Sequence, residues 1–486
     1  MAIRIYNTLA KQIEEFKPID DKCVTMYSCG PTVYDFVHIG NLRTFMMADF
    51  LRRTLLFLGY EVKHIKNITD VGHLTQDDID AGEDKMIKAA KREHKTPRDI
   101  ARFYEEAFKK DEEKLHILPA YRLTRATEYI DEMIKLIEKL IEKGYAYEIN
   151  GSVYYDIDKF EKYGQLSGNA LENLKVGARL EAKPDKKNPY DLALWLKADK
   201  GHLMKWQSPW SVGYPGWHIE CSAMSIANLG ETLDFHTGGE DNIFPHHENE
   251  IAQSEGATGK KFVNYWVHAR FLLVDGEKMS KSKGNFYTLK NIEDKRFDPL
   301  AYRYLCLTAH FQSQMNFTWQ SLQDSQNALK RLYAFAGSVD SEEGGKNIEK
   351  YIEKFRTALE DNLNTPLAIA VVWEMIKDKN ISDIDKKKTL LKFDEVLGLG
   401  LADIEVSLSR IETGEFELNG NNIKFSITQN STEDKIPEDL QNLIKEREAA
   451  RQAKDFATSD RLRDELKEKG YEIKDTPEGI EITEIK

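Results

Sequence analysis

Four side chains scattered along the sequence could together grip a soft metal ion. His246 and Glu250 stand four apart on what reads as one helix, so both can face the same ion. Cys221 lies near the start of the preceding predicted helix, and Cys29 ends the first predicted strand. Two thiolates, an imidazole and a carboxylate make a ligand set for zinc, a borderline-soft cation. Two further stretches carry polar chemistry. His38-Ile39-Gly40-Asn41 joins a predicted strand to a predicted helix, where free N–H groups and the positive dipole end favour a phosphate. Far downstream, Lys278-Met279-Ser280-Lys281-Ser282 precedes Gly284 and suits a mobile loop closing over a polyphosphate. Charge-assisted bonds from such lysines matter most when charge builds on a departing group.

The elements that must position these residues follow from patterning. Val24–Tyr27 reads as a strand broken by Cys29, Gly30 and Pro31. Leu42, Phe45, Met46, Phe50, Leu51 and Leu55 then recur at a helical period. Residues 61–68 form a second predicted strand, with Thr69 and Asp70 at its carboxyl end. An acidic loop is expected over 77–84. A helix opens at Thr96-Pro97 and runs to about 115, and another spans about 126–143. Asn150-Gly151 between aromatic runs signals a type I′ hairpin. The βα pattern resumes with a helix from Pro215 to Gly230, a strand at 233–237, a helix opened by Pro245, and strands at 262–267 and 271–274. Residues 299–399 read as a helical bundle, 438–469 as a charged helix or helix pair, and 471–485 as a hairpin about Glu478-Gly479.

The predicted organisation is therefore α/β: a Rossmann-like parallel-sheet catalytic domain with an inserted subdomain, then a helical bundle and a small C-terminal domain. The expected boundaries are 1–119 and 215–298 for the two halves of the sheet domain and 120–214 for the insert. The bundle takes 299–405, a linker or mobile insert with one possible hairpin takes 406–437, and the small domain takes 438–486.

Bulk properties restrict the function classes. With 486 residues and 41% hydrophobic content, the chain can bury a large core over several domains. No run approaches eighteen apolar residues and no apolar leader opens the chain, which predicts a cytoplasmic protein without membrane partners. A net charge of −13 argues against nonspecific nucleic-acid binding but leaves room for a local basic surface. Four cysteines (Cys23, Cys29, Cys221 and Cys306) make no disulfide framework in so long a chain.

The His38-Ile39-Gly40-Asn41 tetrad and the Lys278-Met279-Ser280-Lys281-Ser282 stretch together resemble the paired signatures of class I aminoacyl-tRNA synthetases. Three more segments narrow the resemblance to the cysteinyl-tRNA synthetase family: residues 29–34, residues 215–224 from Pro215 to Met224, and residues 244–250 from Phe244 to Glu250. That resemblance implies activation of L-cysteine with ATP and Mg2+ to an adenylate, then transfer to tRNA(Cys), by a monomer holding one Zn2+. It implies that His38, Gly40 and Asn41 meet ATP, and that Lys278 and Lys281 stabilise pyrophosphate departure. Gly239 and Asp241 would meet the adenosine ribose, while Gly30, Thr32, Thr69, Trp217 and His236 would line the amino-acid pocket. Arg451, Lys454, Arg461 and Arg463 fall in the family's anticodon-binding tail, and His218 and His247 are expected to support the site without binding metal.

Three departures stand out: Asp70-Val71-Gly72-His73 follows Asn67-Ile68-Thr69 where the family often has Asp-Ile-Asp-Asp, Tyr214 replaces a usual arginine before Pro215-Gly216-Trp217, and Gly479-Ile480-Glu481-Ile482 replaces a Gly-Thr-x-Trp tail. The chemistry is coherent in its own right. A pocket built on shape separates cysteine from serine by only ~1–3 kcal/mol, whereas a zinc ion prefers sulfur electronically and lowers the thiol pKa. The insert looks too short for a separate editing domain. Two other readings stay open: a cysteine ligase of the same lineage acting on an amino sugar, and a non-catalytic zinc-stabilised RNA-binding protein.

Overall fold

The computed structural model describes residues 3–72, 74–76, 81–169, 186–280, 283–339, 342–402, 410–418, 421–429, 438–476 and 479–484. It divides into two compact units, residues 1–332 with 341–401, and residues 333–340 with 402–486.

The first unit is built on a parallel sheet. In chain order it comprises β1 (Cys23–Ser28), α1 (Ile39–Phe57), β2 (Glu61–Ile68), α2 (Lys85–Glu93), α3 (Pro97–Lys114), β3 (Arg122–Arg125), α4 (Ile130–Glu142), α5 (Trp217–Leu229), β4 (Leu233–Gly239), α6 (Glu248–Thr258) and β5 (Val263–Ala269). The strand order is β5-β4-β1-β2-β3, all parallel. The chain winds outward from β1 in one direction, leaves for the insert, and returns to wind outward from β4 in the other. The topological switch point therefore falls between β1 and β4, where an open α/β sheet forms its ligand crevice. Strands buried on both faces read as apolar runs, and Val24, Met26, Tyr27, Leu233 and Phe235 are all fully buried.

Several local features follow from single residues. Thr96 caps α3 by accepting from the Asp99 N–H, with Pro97 at its first position. Gly230 closes α5 at a positive φ of 95°. The insert holds an antiparallel sheet of Ala146–Ile149, Ser152–Tyr155, Leu192–Lys197 and Gly213–Pro215. Its first turn carries Asn150 at φ 55° and Gly151 at φ 84°, as a type I′ hairpin requires.

The structure departs from the sequence reading at several places. Residues 81–84, expected to be loop, form a strand paired with Leu74–Gln76. An N-terminal hairpin, Arg4–Asn7 with Gln12–Glu15, has no counterpart in the reading. Met315–Phe317 interrupts the helical run with a strand alongside Leu272–Val274. Arg410–Leu418 and Asn421–Gln429, expected within a linker or mobile insert with one possible hairpin, form two long antiparallel strands; the expected turn at Asn419-Gly420 lies outside the described residues.

The second unit carries a four-stranded sheet in which Asn421–Gln429 runs parallel to Gly479–Glu484. The helices Glu438–Gln452 and Phe456–Glu468 belong to this unit, and its core gathers Ile444, Leu466, Ile473, Ile480 and Ile482.

Within the first unit a buried charge network joins the sheet domain to the bundle helices. Arg303 is fully buried. It donates to Asp49 Oδ2 at 2.6 Å, to the Leu397 carbonyl at 2.6 Å and to the Leu115 carbonyl at 2.9 Å. Burial would raise the Asp49 carboxyl, but Arg303 and Arg53 hold it below the usual range. Removing one partner strands the other charge without solvent. Asp49→Ala is expected to destabilise the protein by about 3–5 kcal/mol, read as a lower midpoint of urea unfolding.

Candidate metal centre and nucleotide site

The carboxyl ends of β1 and β4 supply the floor of the crevice. Cys29 follows β1 directly, and Ser28 pairs with Thr237 across the two strands, their hydroxyls 2.7 Å apart. Gly30 must be glycine here, because a side chain would stand 1.7 Å from the Asn67 carbonyl oxygen on β2. Its N–H donates to Asn67 Oδ1 at 2.8 Å. The chain then runs beside the end of β2, with Thr32 bridged to Thr69 and the Val33 N–H donating to the Thr69 carbonyl at 3.1 Å. Gly30, Thr32 and Thr69 thus form one wall.

The four metal candidates converge above this floor. Cys29 Sγ lies 3.9 Å from Cys221 Sγ on α5 and 3.7 Å from Glu250 Oε1 on α6. His246 Nε2 lies 3.1 Å from the same Glu250 oxygen. One donor atom from each of Cys29, Cys221, His246 and Glu250 falls within 4.8 Å of every other. Bonds of about 2.3 Å from sulfur to a tetrahedral zinc place two sulfurs about 3.8 Å apart, so the observed spacing fits. His246 lies in the π-helical turn Ile243–His247, which runs on into α6; the one non-helical residue in it is Phe244, so the helix opens at Pro245 as the sequence reading expects.

Electrostatics favour a cation at this point. Burial pushes the Cys29 thiol well up. Its hydrogen bond lowers the Cys221 thiol, assisted by His246. Burial alone would lower His246, but Cys221 and Glu250 push it up to about 9. Without a metal, the thiol and carboxylate donors therefore hold a proton on the imidazole, which a dication would replace.

Histidines surround the donors. His218 Nδ1 lies 2.8 Å from His246 Nδ1, which turns His246 Nε2 toward the thiols. His236 Nε2 lies 2.9 Å from Glu250 Oε2 and its ring stacks on Trp266. The resemblance placed His236 on the pocket wall; the structure puts it against Glu250, fully buried. His247 Nε2 lies 3.2 Å from Cys29 Sγ, and His247 and His268 share a 2.8 Å contact that continues to Thr8. Burial keeps both of these rings neutral, with His268 pushed down to about 3. Cys29, His236, His247 and Glu250 form a second group of four donors. It shares Cys29 and Glu250 with the first, so the two describe alternative places for one ion.

Sequence reasoning missed Glu220 and Asn67. Glu220 is fully buried, and its Oε2 accepts from the Thr69 hydroxyl at 3.0 Å. Asn67 Nδ2 donates to the same hydroxyl at 3.1 Å. The available signal was an acidic residue amid the otherwise apolar opening of α5. Trp217 stands half-buried at the rim, its ring 5.0 Å from that of His246.

The two signature segments meet at the start of α1. His38 caps the helix: its Nδ1 accepts from the Asn41 N–H at 3.1 Å, while Asn41 Oδ1 accepts from the His38 N–H at 3.3 Å. With Nδ1 accepting, a neutral His38 carries its proton on Nε2. A side chain on Gly40 would lie 3.1 Å from Met279 Cε, so the lysine-bearing segment packs on this glycine. The Ile39 N–H donates to the Tyr287 carbonyl and its own carbonyl accepts from the Tyr302 hydroxyl at 2.6 Å. Lys278 is exposed on a two-residue strand; Lys281 lies outside the described residues. Gly239 ends β4, where a side chain would lie 2.4 Å from Asp241 Oδ1 and 3.4 Å from Thr44 Oγ1. Arg43, buried in α1, donates to the carbonyls of Arg270, Phe271, His310 and Ser313.

In the second unit, the expected basic face is laced with carboxylates. Arg451 lies 2.6 Å from Asp475 and 3.1 Å from Glu448. Arg463 lies 2.9 Å from Asp460, and Arg461 3.9 Å from Glu465. Lys454 sits exposed at φ 59° in the turn between the helices.

A doubly wound parallel sheet with paired signature loops at its switch point is the catalytic fold of class I aminoacyl-tRNA synthetases. The structure is similar to Mycobacterium tuberculosis methionyl-tRNA synthetase in complex with methionyl-adenylate, with a TM-score of 0.54 and 15% identity, covering 78% of this chain and 90% of that one. Residues 15–327 match the model of the tRNA synthetases class I (C) catalytic domain. Residues 354–402 match the DALR domain and 433–482 the cysteinyl-tRNA ligase anticodon binding domain. The cysteine–tRNA ligase of Treponema denticola is 43% identical and that of Chlorobaculum tepidum 44%, each alignment covering 98% of both chains. The chain belongs to the cysteine–tRNA ligase family.

Because His218 fixes the ring that offers Nε2 to the donor cluster, His218→Ala is expected to weaken metal binding about 10–100-fold. Chelator competition on the purified protein measures this directly.

Proposed function

We propose that this chain is an ATP-dependent cysteine–tRNA ligase in which Zn2+ held by Cys29, Cys221, His246 and Glu250 selects the substrate by its sulfur. The observation that carries this reading is the 3.9 Å approach of Cys29 to Cys221 at the crevice that also holds the His38 and Lys278 segments. Cys29, Cys221, His246 and Glu250 would hold the ion, and its softness would supply a preference for a substrate thiolate over the serine hydroxyl.

The side chains around it bind and orient. Thr69 donates its hydroxyl proton to Glu220 and accepts from Asn67, so its remaining lone pair can accept from the substrate ammonium, with the Glu220 carboxylate as counter-charge. Gly30, Thr32 and Trp217 close the pocket around this group. The cysteine carboxylate attacks the α-phosphorus of ATP. A carboxyl–phosphate bond forms, the bond from the α-phosphorus to the bridging oxygen breaks, and pyrophosphate leaves; Mg2+ on the phosphates would share in neutralising it.

His38 offers its Nε2 proton to the phosphates at the N-terminus of α1. Asn41 holds that imidazole through its backbone N–H and its side chain. The close approach at Gly40 keeps the lysine segment against the same helix end. Gly239 and Asp241 meet the ribose. Lys278 and Lys281 neutralise the charge that grows on the departing pyrophosphate. The 3′-terminal ribose of tRNA(Cys) then takes the cysteinyl group, forming an ester and releasing AMP. Arg451, Lys454, Arg461 and Arg463 contribute to anticodon-end binding. The match of residues 433–482 to an anticodon-binding domain supports tRNA over an amino sugar as acceptor. Exposed Lys278 beside the capped helix end supports catalysis over mere RNA binding.

The test is cysteine- against serine-dependent ATP–pyrophosphate exchange, with a zinc assay on the same sample, followed by tRNA charging. Cys221→Ser is expected to lose zinc and cysteine activation together; normal exchange by a zinc-free variant would refute the metal's role. Lys278→Ala or Lys281→Ala is expected to slow single-turnover adenylate formation about 10²–10³-fold while cysteine binding holds. Unchanged adenylation in both variants counts against the loop's role.

A further inference from the structure

The chain carries a net charge of −13, yet residues 85–102 hold seven lysines and arginines against two acidic residues, a net +5. They fall on α2 and α3, which meet in a tight reversal at His94, φ 53°. Lys88, Arg98 and Arg102 are exposed and form no ion pair among the described residues. Arg98 and Arg102 stand four apart on one face of α3. Glu93 is shared between Arg92 at 2.8 Å and Lys95 at 3.3 Å, so it cannot neutralise the group. Aromatic rings interleave with these cations. Phe103 is 47% exposed and Phe36 45%, their centroids 6.0 Å apart, and Lys95 Nζ lies 4.5 Å from the Phe103 centroid. Phe36 stands two residues before His38, so this surface begins at the lip of the nucleotide site.

We infer that the α2–α3 surface holds the single-stranded 3′ end of the tRNA acceptor arm and guides it to the adenylate. Cations spaced along a groove track phosphates, and exposed aromatic faces stack unpaired bases whatever their identity. Cations alone would serve any polyanion. Large exposed rings set among them fit a strand with unstacked bases. Position narrows the choice further, because the terminal ribose must arrive beside His38 for acyl transfer, and Phe36 flanks that entry. This inference rests on the ligase reading above.

The test uses the full-length, zinc-loaded protein with Lys88, Arg98 and Arg102 all changed to Glu, and separately Phe103→Ala. Cysteine-dependent pyrophosphate exchange is expected to stay at the wild-type level in both, since none of these residues enters the adenylation machinery. The kcat/KM for tRNA charging is expected to fall about tenfold for Phe103→Ala and further for the triple variant. The triple variant's dependence of log KM on log salt should flatten by ~2 units, as expected for three lost phosphate contacts on a single strand. tRNA trimmed of its unpaired 3′ nucleotides should bind wild type and variants alike.

Unchanged charging and salt dependence in both variants overturns the inference, as does an equal loss of affinity for trimmed and intact tRNA. Charging left intact while wild-type binding to phosphatidylserine vesicles is lost would assign the surface to a membrane and overturn it too. A wild-type protein that activates cysteine but charges no tRNA refutes the ligase reading instead.

Discussion

Two sulfur atoms from distant parts of the sequence approach to 3.9 Å, and the rest of the molecule is arranged so that they can. Neither cysteine could make this contact from its own element. Cys29 needs β1 at the centre of the sheet, and Cys221 needs the chain to leave through the insert and return on the other side. Parallel pairing of Met26, Tyr27 and Ser28 with Phe235, His236 and Thr237 sets the register. A slip of one residue would turn His236 away from Glu250 and carry the Gly238-Gly239 turn out of line with Cys29. The soft-donor cluster is thus a product of topology, with the imidazoles of His218, His236 and His247 packed against its members.

Much of this was legible beforehand. The strand at 61–68, the hairpin at Asn150-Gly151 and the cap at Thr96-Pro97 stand where local patterning put them. Each depends on residues close in sequence, so period and turn chemistry suffice. What escaped depends on tertiary placement. Residues 81–84 are acidic and glycine-containing, and no local propensity marks them as a strand; pairing with Leu74–Gln76 makes them one. The strands of 410–429 are polar and were read as linker for that reason. They reach regular structure only by pairing with each other and with Gly479–Glu484.

The same division runs through the site. Signature segments and candidate metal donors are legible because their residue types are chemically distinctive. Glu220, Asn67, His247 and His268 become informative only once burial is known. A carboxylate or imidazole on the surface carries little meaning. The same group enclosed and joined to Thr69 or Cys29 restricts where a hydroxyl proton or a thiol can point. His236, expected from the resemblance to line the amino-acid pocket, is another such group: its contact with Glu250 is visible only in the folded chain.

Ile39 occupies an unusual station. Its amide is bound to Tyr287, just beyond the lysine segment, and its carbonyl to the hydroxyl of Tyr302 in the helix Pro299–Leu307. The two peptide units that flank the Ile39 Cα are therefore each tethered, and His38 contributes the carbonyl of the first. Any displacement of the helix Pro299–Leu307 would thus be felt, through a single hydroxyl, one residue from His38.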